Sequence, residues 1–224
     1  MPFLKVKICG IKTLDDALMA AELGADMLGL NFYEPSPRYI APENAKQLAD
    51  GLRGKLAENC PVLVGVFVNE NTANIKAIMA QVGLDFAQLS GDEPVEHLAE
   101  LNGRAFKSIR PADITEAKEL VETVEPFFST NITSPSILVD AYHPKLYGGT
   151  GEQASTGIAL AVKAAVPRLM LAGGLNPDNI AERVQAIQPW GVDVASGVEV
   201  DGQPGVKDHA KIKAFVDVIK QITI

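Results

Sequence analysis

The chain has 224 residues, 47% of them hydrophobic and 21% charged, with a net charge of −8. That acidity, with no Lys/Arg block to offset it, speaks against a reader of nucleic-acid phosphates, although a small anionic ligand needs only local donors. Two cysteines are too few for a disulfide framework, "MPFLKVKICG" lacks the apolar run of a signal peptide, and no apolar stretch reaches membrane-spanning length. The expectation is a cytoplasmic protein with no nucleic-acid and no membrane partner.

Short β-rich apolar runs alternate with helical patterns along the chain. The strand-like runs are Lys5–Cys9, Met27–Asn31, Val62–Val68, Phe86–Leu89, Ala105–Ile109, Ser136–Asp140, Arg168–Ala172 and Val192–Ala195. Between them lie periodic segments such as "TLDDALMAAELG", "NTANIKAIMAQVG" and "NPDNIAERVQAIQ", each opening with Thr or Asn. Gly24 and Gly83 fall where helices should stop. The segment Phe127–Pro135, "FFSTNITSP", reads as a surface loop before strand six. Alternating β and α units imply parallel strands with crossover helices. Eight units without a composition break predict a closed (β/α)8 TIM barrel, as one domain over residues 1–224, rather than a doubly wound sheet.

In such a barrel the C-terminal strand ends form the active face. Cys9 ends strand one there, whereas Cys60 precedes strand three, at the stability face, and reads as structural. Alternation puts Lys5, Lys7 and Cys9 on one face of strand one and turns Val6 and Ile8 to the helices. An ammonium beside Cys9 favours the thiolate; the plainer reading is that Lys7 pairs with an inward acid. The loop after strand two, "NFYEPSPRYI", presents Arg38, either an ordinary exposed arginine or a fork for a carboxylate. Strand four ends "QLSGDEP", where Ser90 either donates into the site or belongs to a turn.

Strand six ends at Asp140. There it is either a loop hydrogen-bonder or cap, or a carboxylic acid poised opposite Cys9 as general acid to a thiolate base. After strands seven and eight come "AGGLNPDNI" and "VDVASGVE", with Gly173, Gly174, Ser196 and Gly197 placed to let backbone approach a phosphate. Asp193 orients ligand hydroxyls or holds the loop. His97 reads as a helix-surface residue, while His143 and His209 fall in or near active-face loops with no evident partner. The three histidines have no metal-ligand spacing. Trp190 should pack at the stability face.

"KICGIK", "SPRYI", "VGVFVNE", "QLSGDEP", "LVDAY…YGGTG", "LAGGLNPDNI" and "VDVASGVE…PGVKD" follow one ordered pattern, and over essentially its whole length the chain resembles the phosphoribosylanthranilate isomerases. The resemblance implies a ribulose-phosphate-binding barrel that performs an Amadori rearrangement in tryptophan biosynthesis. The rearrangement needs no metal and no organic cofactor and acts on a small phosphosugar; the residues leave monomer and homodimer both open. The resemblance assigns Cys9 as general base, Asp140 as general acid, Arg38 to the anthranilate carboxylate, and Gly173, Gly174, Ser196 and Gly197 to the phosphate; Ser90 and Asp193 join them as candidate substrate contacts on their strand-end positions alone. Two departures stand out: Ser90 where the family often carries histidine, and Ala154, Ser155 and Thr156 where many members have Phe-Asp-Trp. Two readings compete with the isomerase. One is a related barrel enzyme working on another phosphosugar; the other is a non-catalytic phosphosugar binder.

Overall fold

Eight parallel strands close into a barrel in chain order in the computed structural model, which describes residues 4–141 and 155–222. They are β1 (Lys5–Cys9), β2 (Met27–Asn31), β3 (Val62–Phe67), β4 (Phe86–Leu89), β5 (Ala105–Ile109), β6 (Ile137–Val139), β7 (Leu169–Leu171) and β8 (Gly191–Val194). Helices α1 (Leu14–Glu22), α2 (Pro42–Leu56), α3 (Thr72–Val82), α4 (Glu96–Glu100), α5 (Ile114–Val124), α6 (Thr156–Ala165), α7 (Ile180–Ile187) and α8 (His209–Gln221) follow them in turn. The fold is therefore the (β/α)8 barrel that the alternation predicts. The ladders of β6 and β7 are shorter than the apolar runs, yet the flanking residues still pair: Asp140 N–H donates to the Ile109 carbonyl and Ala172 N–H to that of Val139.

Helix starts follow the capping chemistry. Thr13 accepts from the Asp16 N–H at α1, Asn71 from Asn74 at α3, and Asp113 from Glu116 at α5. Gly83 ends α3 at φ 77°, a left-handed position that suits glycine. The segment "NPDN" is a turn rather than helix, because the Asn176 side chain accepts from the N–H groups of Asp178 and Asn179 and α7 starts only at Ile180. The loop from Phe127 to Pro135 is tied to its neighbours: Ser129 Oγ donates to the Gly103 carbonyl, and Arg168 donates to the carbonyls of Ser129 and Ser134.

Strand alternation sorts the core into two parts. Val6, Ile8, Leu28, Leu30, Leu63 and Leu171 point outward into the layer against the helices. Met27, Val64, Phe86, Phe106, Leu138 and Met170 fill the lumen, with Trp190 packed beneath them at the N-terminal end. This apolar plug is the floor on which the polar side chains of the upper strand ends stand. Cys60 is half-buried and packs against the outer core. Among the described residues, no helix is long and apolar enough to cross a membrane.

Candidate active site

Immediately above the plug, Lys7 is completely buried and its Nζ lies 2.9 Å from Asp193 Oδ1, a pairing that the β1–β8 register dictates by setting the two residues side by side. Cys9 stands one step higher on the same face, beside Gly29 of β2. A Cβ on Gly29 would lie 2.8 Å from Cys9 Sγ and 3.2 Å from Lys7 Nζ, so the missing side chain makes room for both. Burial strips Lys7 of solvation, but Asp193 and Cys9 outweigh that loss and hold its pKa above the ordinary lysine value. Burial also pushes the Cys9 thiol up, with Lys7 pulling against it. The ammonium is thus where alternation predicts, but desolvation prevails over it and the thiol is the resting form.

Gly10, at φ 80°, turns the chain away from β1, and a Cβ there would meet Arg38 Cδ at 2.6 Å. The Arg38 stem lies over that glycine. Its Nε and Nη2 donate to the two carboxylate oxygens of Glu199 at 2.7 and 2.9 Å. Arg38 is therefore a buried, clamped arginine rather than a freely exposed one. Lys207 Nζ, 3.1 Å from Glu199, completes a buried trio of two cations and one anion. Burial alone would raise the Glu199 pKa, but Arg38 and Lys207 hold it below the usual glutamate value. The surplus positive charge leaves Arg38 able to attract a carboxylate through its remaining N–H edge. Gly205 locks the same corner: a Cβ there would lie 2.2 Å from the Pro37 carbonyl.

Across the lumen, Gln88 and Ser90 of the β4 end and Ser108 of β5 face inward. Ser90 belongs to the turn and also lines the cavity. Its side chain lines the cavity and accepts from Gln88 Nε2, while "SGDEP" is a turn held by Glu93, which accepts from the N–H groups of Gly91 and Asn69 and pairs with Lys107. Arg110 donates to the Ser90 carbonyl, pinning the strand end. Asp140 ends β6; burial lifts its pKa to about 6, opposed by the Ala141 N–H and by the charges of Arg110 and Lys7.

Cys9, Arg38, Ser90, Asp140 and Asp193 all open onto one cavity of about 170 Å³. An adjoining recess shares Asp140 and Asp193 and is walled by Gly173, Gly174 and Ser196. Gly173 and Gly174 both have positive φ, 86° and 60°. Gly197 stands where the two loops pack closely. A Cβ there would sit 1.9 Å from the Leu175 carbonyl, so its bareness lets the β7 and β8 loops close on each other. Ser196–Val198 is a single 3-10 turn.

Nothing in the sequence singles out Gln88, Ser108 or Arg110, nor the tie of Glu199 and Lys207 to Arg38. The "VE" and "K" of "SGVE…PGVKD" are visible, but Arg38, the partner of Glu199, lies 161 residues away. His209 gains a partner that sequence did not reveal, Asp16 at 2.8 Å, and His97 is half-buried with Nδ1 enclosed rather than on the open helix surface. His143 and Ala154 lie outside the described residues. Thr156 Oγ1 accepts from Arg183 at 2.7 Å at the start of α6. Among the described residues, no group of three or more His, Cys, Asp or Glu side chains is placed to hold a metal ion.

A sequence model of the family described as N-(5'-phosphoribosyl)anthranilate (PRA) isomerase matches residues 6–218. The N-(5'-phosphoribosyl)anthranilate isomerase of Geobacter metallireducens is 44% identical over 213 residues, covering 95% of this chain and 97% of its own. The phosphoribosyl anthranilate isomerase of Thermotoga maritima superposes with a TM-score of 0.84 at 34% identity, covering 98% of this chain and all of its own. A solved phosphoribosyl anthranilate isomerase in complex with reduced 1-(o-carboxyphenylamino)-1-deoxyribulose 5-phosphate superposes at 0.80 with 33% identity, over 98% of this chain and 100% of that one. A thiol and a carboxyl at the mouth of a (β/α)8 barrel, with a matching sequence over nearly the full length, place this chain in the N-(5'-phosphoribosyl)anthranilate isomerase family.

Proposed function

We propose that the chain performs its family's isomerisation, a step of tryptophan biosynthesis, with Cys9 as general base and Asp140 as general acid. The observation that carries this reading is the convergence of a buried thiol and a carboxyl of raised pKa, from β1 and β6, on one cavity. The substrate's phosphate would enter the recess of Gly173, Gly174 and Ser196, and its carboxylate would face the free edge of Arg38. Asp193, already paired with Lys7 through one oxygen, offers its other oxygen to a ribose hydroxyl.

Asp140 gives its proton to the ring oxygen as the C1′–O4′ bond breaks and the nitrogen lone pair forms the C1′=N iminium. The iminium acidifies C2′–H, and the Cys9 thiolate removes that proton, leaving an enol. Loss of the 2′-hydroxyl proton and protonation of C1′ complete the ketose and restore both side chains. An acid and a base of separate environments divide the work, as general acid–base catalysis requires. We place the enzyme in the cytoplasm, as a single barrel domain acting as a monomer or homodimer.

The test is loss of anthranilate fluorescence from freshly generated phosphoribosylanthranilate. Wild-type protein should turn it over, and Cys9→Ser should lose most of the rate while still binding reduced product. A well-folded wild type without turnover ends the isomerase reading; near-normal turnover by Cys9→Ser removes Cys9 from it.

A further inference from the structure

Gln88 carries an unanswered polar atom. Its side chain is only 5% exposed, its Nε2 donates to Ser90 Oγ at 3.0 Å, and its Oε1 is buried without a partner among the described residues. It stands inside the barrel above the apolar plug, between Val66 and Phe106 in register, and lines the same cavity as Cys9 and Asp140. A buried acceptor with no donor is costly in a folded protein and calls for an explanation at the site where it occurs. Here the missing donor has to come from whatever occupies the cavity.

This inference rests on the isomerase reading, which restricts what that donor is. The substrate's phosphate and carboxylate only accept. Its donors are the ribose hydroxyls and the N–H that bridges C1′ to the aromatic ring. Phosphate in the β7–β8 recess puts the sugar beside Asp193, which accepts there. β4 stands diametrically across an eight-stranded barrel from β8, so Gln88 faces the end of the substrate remote from the phosphate. The bridging N–H is the donor at that end. We propose that Gln88 Oε1 accepts the bridging N–H and does so most strongly when that nitrogen is the cationic iminium. An amide dipole fixed in a dry wall, meeting charge that exists only after ring opening, lowers the barrier more than it tightens ground-state binding.

The probes are reduced product and its ether counterpart, in which the bridging N–H is replaced by oxygen. Wild type should bind the amine about ten times more tightly than the ether, and Gln88→Met should bind the two within about threefold of each other. Comparing the two proteins cancels the probes' own conformational preferences. Gln88→Met should also lower kcat by about 10- to 100-fold, with a rise in KM no larger than its loss of amine preference. A variant that keeps the amine preference, or weakens both probes equally, overturns the proposal. So does a wild type that prefers the ether, since that result would turn the amide's N–H₂ toward the bridge. The wild-type comparison needs no variant to fold. Failure here with normal wild-type turnover leaves the isomerase reading standing; absence of wild-type turnover removes that reading first.

Discussion

Replacing Asp140 with asparagine should cripple the enzyme and at the same time stabilise the fold, and the gain should depend on pH. Burial lifts this carboxyl from 3.8 to about 6. At about 1.36 kcal/mol per tenfold change in proton affinity, keeping it ionised in the folded chain costs about 3 kcal/mol near pH 8, and solvation from the cavity trims this to about 1–3. The sign follows from the direction. A carboxyl that holds its proton more tightly when folded contributes stability that is fully present below about pH 4 and is lost as pH rises through about 6. The amide has no proton to lose, and it can still accept the Ala141 N–H. Urea unfolding near pH 8 should therefore show Asp140→Asn more stable by about 1–3 kcal/mol, with the gap shrinking below about 1 near pH 4. Turnover should fall by about 10²–10⁴. A variant no more stable than wild type near pH 8, or a gap indifferent to pH, would refute the claim that this carboxyl is held out of water without an adequate cation.

The same electrostatics shape the pH profile. With the acid's pKa near 6 and the thiol's raised above its ordinary value, kcat/KM should rise to a plateau above about 6 and fall only beyond the thiol's range, with neutral carboxyl and thiolate together a minority state throughout. A profile peaking below pH 6 would contradict it. Iodoacetamide should alkylate Cys9 appreciably only at alkaline pH and should be blocked by reduced product; rapid labelling near pH 7 would show that the buried thiol is not protonated at rest. Lys7→Met should destabilise by about 3–5 kcal/mol by leaving Asp193 buried and unpaired, and the double variant with Asp193→Asn should recover much of it in chemical denaturation. If the double variant only adds the two losses, the pair is not coupled. Gly29→Ala should cost about 1–3 kcal/mol and most of kcat, because the new methyl needs the space of Cys9 Sγ and Lys7 Nζ; unchanged turnover would show the site more yielding than its packing.

The alternation of elements, the strand faces and the address of Cys9 and Asp140 at C-terminal strand ends were legible from residue order, because a period of two along a strand and the polarity of a parallel barrel are local rules. Small residues after β7 and β8 were legible for the same reason. Charge balance was not. Whether Cys9 rests as thiol or thiolate depends on how far burial outweighs Lys7, and whether Arg38 is loose or clamped depends on Glu199 and Lys207, brought to it by barrel closure. Gln88, a polar residue within β4, carries no signal in the sequence; barrel closure sets its amide in a dry wall with one atom unmatched. Sequence by itself determined which strand end each reactive group occupies. Only the tertiary structure decided their solvation and partners, because desolvation and ion pairing are sums over neighbours that lie far apart in the chain.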